Sequence, residues 1–145
     1  METGSHIRLV LGRAAKAIDR VDRKSIVGTG LIASEFGILE ALLHKGALPI
    51  NTIGKKVLLT SGSMTAAANR LVDRGLVKRV KDPSDGRRFH LRLTAAGTRL
   101  IKKAYARHAR NLDQIAGVLT ADERDELVRL LKKIGLHAQG FMVAP

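Results

Sequence analysis

The stretch from Thr60 to Gly97, TSGSMTAAANRLVDRGLVKRVKDPSDGRRFHLRLTAAG, restricts the possible folds of this chain more than any other. Its first part, Ser61 to Arg74, places Met64, Ala68, Leu71 and Val72 at the i, i+4, i+7, i+8 spacing of a helix with one buried face. At about 100° per residue, Gly62, Ser63, Ala66, Asn69, Arg70 and Asp73 point away from that stripe, with Thr65 and Arg74 on its borders. The outward face is small and polar near its start and charged near its end. Gly75 stops the helix, and two strand-like runs follow, Leu76 to Lys81 and Arg88 to Thr94. In the second, Phe89, Leu91 and Leu93 alternate with His90, Arg92 and Thr94. Between the runs, Asp82-Pro83-Ser84-Asp85-Gly86-Arg87 is rich in turn formers, so the strands form a hairpin whose tip carries Arg87 and Arg88.

A helix with small polar residues leading and arginines trailing suits the major groove of duplex DNA. Its N-terminal residues lie nearest the base edges, where bulky side chains would hold the backbone away. An arginine on a protruding hairpin suits a narrow minor groove. Ser63, Thr65, Ala66 and Asn69 are therefore candidate groove contacts. Arg70 and Arg74, farther along the helix, are candidate phosphate partners, and Ser61 can combine helix capping with a phosphate contact. At the hairpin, Asp85 is expected to hold Arg87 through a charge-assisted hydrogen bond, and Arg88 either joins the contact or supports the turn. The bland alternative for the helix residues is a solvated helix face. For Asp85 and Arg87 it is a surface ion pair of little consequence. Lys78, Arg79 and Lys81 read equally well as phosphate contacts or as solvated charges guarding a strand edge.

These residues also carry a family likeness. Gly75-Leu76-Val77, Asp82-Pro83-Ser84-Asp85-Gly86-Arg87 and Leu91-Arg92-Leu93-Thr94-Ala95-Ala96-Gly97 resemble the wing signature D-x-R followed by L-x-L-T-x-x-G of the MarR family of bacterial transcription regulators. Ser34-Glu35-Phe36-Gly37-Ile38-Leu39 and Leu119-Thr120-Ala121-Asp122-Glu123 extend the match over nearly the whole chain. The family usually has another arginine where Gly86 stands, and often a larger polar residue near Ala66 or Ala67. The resemblance implies a mainly α, α+β fold, a winged helix-turn-helix whose N- and C-terminal helices form a dimerisation region. It also implies a repressor that leaves a pseudo-palindromic operator when a small, commonly aromatic or phenolic effector binds.

At 145 residues the chain is expected to form one domain, 1–145, with a DNA-binding lobe at 31–94 and dimerisation helices at 7–26 and 95–140. Ile7, Leu11, Ala14, Ile18 and Val21 make a heptad-like stripe on a first helix that runs to about Lys24. A second helix, about Ser34 to Lys45, buries Phe36, Leu39, Leu42 and Leu43, and Pro49 opens a third that reaches about Val57. Thr94 caps a long helix to about Val118, with Ile101, Ala104, His108, Leu112 and Ile115 along one side. Thr120 with Glu123 is a capping box for a last helix that buries Leu127, Leu130, Leu131 and Ile134. These helices outnumber the surfaces of a small DNA-binding lobe, so a second copy is expected to cover them and form a homodimer. Gly4-Ser5-His6 reads as a tag remnant, and no helix is expected before Ile7.

The net charge is +13, and positions 61 to 110 hold thirteen Lys or Arg against Asp73, Asp82 and Asp85. That field attracts any polyanion. With three Phe, one Tyr and no Trp, however, the chain lacks the stacking platforms of single-strand or RNA binders. The absence of cysteine removes disulfides, thiolate metal sites and thiol redox sensing. No membrane-length apolar run or signal-like segment stands in the sequence, so a cytoplasmic protein is expected. His44 and His108 raise a metal-responsive alternative through resemblance to metal-sensing relatives, but they lack the further ligands of a zinc site, and a core histidine is the default for His108. No cofactor is expected, and no phosphate loop, zinc-protease motif or nucleophile elbow supports an enzyme. The main rival is a non-specific architectural DNA-binding protein.

Overall fold

The computed structural model describes residues 1–57 and 61–141, the side chain of Ser61 excepted. In chain order the elements are α1 (Gly4–Val27), α2 (Ala33–Lys45), β1 (Leu48–Pro49), α3 (Ile50–Lys56), α4 (Ser61–Asp73), β2 (Val77–Lys81), β3 (Phe89–Leu93), α5 (Ala95–Ala116) and α6 (Ala121–Phe141). The chain divides into two compact units, Met1–Asn111 and Leu112–Pro145.

In the first unit the core forms where α2, α3 and α4 meet the sheet. Phe36, Ile38, Leu39 and Leu42 of α2, Ile53 of α3, Met64, Ala67, Ala68 and Leu71 of α4 and Leu91 of β3 are all buried. The stripe expected on α4 is thus the face that packs, and Ala67 joins it. The sheet has the order β1-β3-β2 and is antiparallel throughout. β2 and β3 are the expected hairpin, with Val77 opposite Leu93 and Lys81 opposite Phe89. β1 is an addition: Leu48 and Pro49 pair with Leu91 and His90. Proline has no amide to donate, so such a strand sits at the sheet edge.

Two glycines explain how the hairpin is attached. Gly75 has φ +69°, the left-handed region that favours glycine. Its N–H reaches the Val72 carbonyl at 2.9 Å and the Leu76 N–H reaches that of Leu71 at 3.0 Å, the paired bonds of a Schellman stop. At the other strand's end the Thr94 hydroxyl donates to the Gly75 carbonyl at 2.6 Å and accepts the Gly97 N–H at 3.0 Å. A Cβ at Gly97 would lie 1.9 Å from the Leu76 carbonyl oxygen, so the start of α5 rests directly on the backbone at the hairpin's base. The T-x-x-G tail of the wing signature is thereby a cap and a close approach.

The terminal helices behave differently. α1 begins at Gly4, three residues before the expected stripe, because the Thr3 hydroxyl caps it by accepting the His6 N–H at 3.2 Å. Residues Gly4 to His6 are therefore helical and not a loose remnant. Along α1 only Ser25 and Ile26 are buried, while Ile7, Leu9, Val10, Leu11 and Ile18 are exposed. In the second unit α6 opens with the expected capping box: Thr120 N–H to Glu123 Oε2 at 2.8 Å, and Glu123 N–H to Thr120 Oγ1 at 3.2 Å. The burial expected for Leu127, Leu130, Leu131 and Ile134 does not occur within one chain, where they are 40–45% exposed.

Candidate nucleic-acid interface

With Met64, Ala67, Ala68 and Leu71 turned inward, α4 leaves Gly62, Ser63, Thr65, Ala66, Asn69, Arg70, Asp73 and Arg74 exposed. The side chain of Ser61 lies outside the described residues. The leading half of the exposed face is low, with no side chain larger than threonine. A helix backbone bearing such residues can approach base edges closely.

The trailing half is held by contacts that link distant parts of the chain. Glu35, on the first turn of α2, is buried and receives both trailing arginines: Arg70 Nε lies 3.6 Å from Oε1, and Arg74 Nη1 lies 3.5 Å from Oε2. Arg74 Nη1 also donates to the Gly30 carbonyl at 3.0 Å. A buried carboxylate needs such partners, because desolvation without them is costly. The two arginines keep side-chain exposures of 46% and 42%, so each is tethered at one edge while still open to a phosphate at the other. Asn69 is also engaged, its Oδ1 accepting from Arg79 Nη2 of β2. From the sequence Arg79 is expected to be either a phosphate contact or a solvated edge-strand charge, and the role of Glu35 is not foreseen. Its only signal was an acidic residue beside Phe36 at the start of a core helix.

At the hairpin tip, Asp82 organises the turn. Its Oδ1 accepts the Ser84 N–H at 2.8 Å and the Ser84 hydroxyl at 2.7 Å, and its Oδ2 lies 3.0 Å from His90 Nε2. The Ser84 hydrogen bonds, foremost, hold the Asp82 carboxyl down at about 2, with His90 contributing. Asp85 accepts the backbone N–H of Arg87 at 3.0 Å, and its carboxylate lies 3.7 Å from Arg88 Nε. The expected side-chain link between Asp85 and Arg87 is therefore replaced: Asp85 fixes the backbone of Arg87 and the side chain of Arg88. Among the described residues the Arg87 guanidinium has no partner and stands exposed at the tip.

Within the first unit a recess of about 270 Å³ opens between α1, α2 and α5, bordered by Asp22, Arg23, Ile26, Phe36, Glu40 and His108. His108 is 8% exposed and packs on Phe36 with ring centroids 4.9 Å apart. Its Nδ1 lies 3.4 Å from Ser25 Oγ and 3.7 Å from Asp22 Oδ1. His44 meets Tyr105 edge-on at 4.7 Å. Among the described residues no three His, Cys, Asp or Glu side chains are grouped to hold a metal ion.

Residues 29–88, which run from the loop before α2 through the hairpin tip, match the model of the MarR family. Over 133 residues the chain is 36% identical to the HTH-type transcriptional regulator MhqR of Bacillus subtilis (strain 168), a match covering 92% of each. The chain belongs to the MarR family. Solved structures agree. The PcaV transcriptional regulator from Streptomyces coelicolor, in complex with its natural ligand, is similar with a TM-score of 0.71 and 28% identity over 93% of both chains. NadR in complex with 4-hydroxyphenylacetate gives 0.79 and 27% identity over 92% of this chain and 97% of that one. This MarR-family chain is thus a DNA-binding transcription regulator and not an enzyme. Among its described residues no helix is long and apolar enough to cross a membrane.

Proposed function

We propose that this MarR-family regulator binds a pseudo-palindromic duplex operator as a homodimer, each protomer placing the leading face of α4 in a major groove and Arg87 in the neighbouring minor groove. Ser61, Ser63, Thr65, Ala66 and Asn69 face the base edges. Arg70 and Arg74 reach phosphates from the side not held by Glu35, and Asp85 and Arg88 set the wing. The observation that carries this reading is the exposed guanidinium of Arg87, without a partner among the described residues, on a turn that Asp82 and Asp85 hold in place. A fixed backbone beneath a free cation is what insertion into a narrow groove requires. The exposed apolar stripes of α1 and α6 support the homodimer, because contiguous apolar side chains left in water mark an interface.

Binding of the operator is proposed to repress transcription, and a small aromatic or phenolic effector in the recess beside Phe36 and His108 to relieve it. Support comes from the aromatic and polar lining of that recess and from the ligand-bound states of PcaV and NadR. Such a ligand can release DNA only by binding more tightly to a conformation whose recognition helices no longer match the operator.

The test is binding to the chain's own upstream intergenic DNA beside a scrambled duplex across a salt series. A preference of about a thousandfold or more at near-physiological salt supports a specific regulator. Equal, steeply salt-dependent binding to both, with no sequence recovered from randomised DNA, supports the architectural alternative, which the basic charge also permits. Arg87→Ala is expected to weaken operator binding by about 1–3 kcal/mol while leaving the dimer intact. Unchanged affinity removes the wing from the interface.

A further inference from the structure

A buried carboxylate from α2 lies against both arginines that trail the recognition helix. We infer that Glu35 is a specificity-determining positioning residue: it weakens the general attraction for duplex DNA while holding Arg70 and Arg74 at a fixed spacing. The inference rests on the proposed docking of α4.

Glu35 stands in the first turn of α2, whose N-cap Ile32 supplies no side-chain hydrogen bond. An acidic side chain there complements the positive end of the helix. The side chain is 6% exposed, and its two oxygens go to different arginines, Oε1 to Arg70 Nε at 3.6 Å and Oε2 to Arg74 Nη1 at 3.5 Å. The Arg74 N–H still bonds the Arg70 carbonyl at 3.0 Å, so the two guanidinium groups belong to neighbouring turns of one helical face. Like charges at that spacing repel each other. Glu35 between them offsets the repulsion and ties both to the core of the lobe. Arg74 has a second anchor, the Gly30 carbonyl at 3.0 Å, in a turn where Gly30 takes φ +74°. That conformation favours glycine, so the anchor belongs to a turn that few other residues would form.

Two consequences follow at the DNA, and they differ in reach. A carboxylate beside two cations subtracts one charge from the field that draws any duplex, and so opposes binding that depends on charge alone. Arginines held at a fixed spacing favour phosphates in the matching register, and phosphate contacts set how the helix is seated over the base edges. Ordering them in advance also removes an entropic cost from the seated complex. The first effect weighs on all DNA and the second favours the operator alone. Glu35 therefore widens the gap between the operator and other DNA, although it touches neither base nor phosphate.

The experiment compares the full-length wild type with Glu35→Gln and Glu35→Asp on the duplex that wild type selects from a randomised library and on a scrambled duplex, across a salt series. Circular dichroism and thermal unfolding check that each variant folds. Glu35→Gln keeps the volume and removes the charge. It is expected to bind scrambled DNA about twofold to fivefold more tightly, with a salt slope steeper by up to about one. Its preference for the selected duplex is expected to fall about threefold to tenfold. Glu35→Asp keeps the charge but withdraws the carboxylate from both arginines, so it is expected to lose preference without the gain on scrambled DNA. A role in stability alone lowers both affinities by the same factor, which would overturn the inference. So would an equal gain on both duplexes, the mark of charge without positioning. If Glu35→Gln does not fold, the ratio measured with Glu35→Asp decides. If wild type selects no sequence at all, the docking of α4 fails and the inference falls with it, a failure that the wild-type arm alone reveals.

Discussion

Leucines in the lobe where α2, α3 and α4 meet the sheet and leucines in the last helix meet opposite environments. Leu39, Leu71 and Leu91 of the lobe are fully buried, each enclosed by side chains of the same chain. Leu127, Leu130 and Leu131 of α6 are 40–45% exposed, and no residue of that helix is buried. Both regions nevertheless carry strong local signals: a Schellman stop closes α4, and a two-way capping box opens α6. Local signals start and stop helices but contribute little net stability, which comes from burying an apolar face. The lobe therefore holds the means of its own folding, whereas α6 and most of α1 carry apolar faces exposed within one chain, which the proposed homodimer covers. In the proposed homodimer this division separates the two tasks: α1 and α6 set the spacing of the two copies, and α4 with the hairpin forms the proposed DNA-contacting face.

The sharpest way to break the contrast is to damage each side in turn. Leu71→Ala empties a fully buried site at the centre of the lobe and is expected to cost about 2–5 kcal/mol in denaturant unfolding. Leu131→Asp is expected to leave the lobe's helical signal in place while moving the protein from dimer to monomer in sedimentation. A Leu131→Asp protein that remains dimeric removes α6 from the proposed interface.

Gly97→Ala probes the lobe's other kind of order, backbone against backbone. A methyl group that would fall 1.9 Å from the Leu76 carbonyl oxygen must push α5 off the hairpin base, with an expected loss of about 1–3 kcal/mol in thermal or chemical unfolding. The same change at Gly135 of α6, where a Cβ meets nothing within 4 Å, is expected to be neutral or slightly stabilising through better helix propensity. Equal effects at the two glycines would contradict the close approach at Gly97.

The smallest effect belongs to the wing turn. The Asp82 carboxyl is lowered from 3.8 to about 2 in the folded chain, chiefly by its bonds to Ser84. A folded value below the unfolded one means that the turn is supported at all pH above 3.8, and that support is lost as the pH falls through about 2. The Ser84 amide resonance should report it, holding its position down to about pH 3 and shifting only below that. A midpoint near 4 would mean that the carboxylate does not accept these bonds in solution.

Much of this was legible beforehand because it is written in short-range patterns. The buried stripe of α4 follows from the helical period over Met64, Ala68 and Leu71, the hairpin from alternation and turn residues, and the α6 cap from Thr120 and Glu123 three positions apart. The likeness of the wing signature to the MarR family was likewise contained in a few neighbouring residues, and the family match bears it out. What escaped was β1, a two-residue strand too short to have a period, recognisable only through its pairing with β3. The Glu35 contacts with Arg70 and Arg74 also escaped, because the second joins positions 39 residues apart in the chain.

By itself, then, the sequence determined which residues form the helices and the hairpin, which face of α4 is buried, and the family, since each rests on the order of near neighbours along the chain. Tertiary structure decided the partners of the polar side chains. It gave Arg70 and Arg74 to a buried Glu35, Asp85 to Arg88 and the backbone of Arg87, and the Asn69 oxygen to Arg79. The physical reason is that apolar burial depends on a repeating pattern readable in one dimension, whereas a hydrogen bond depends on two atoms meeting within about 3 Å in the right direction, a condition that only the folded backbone fixes.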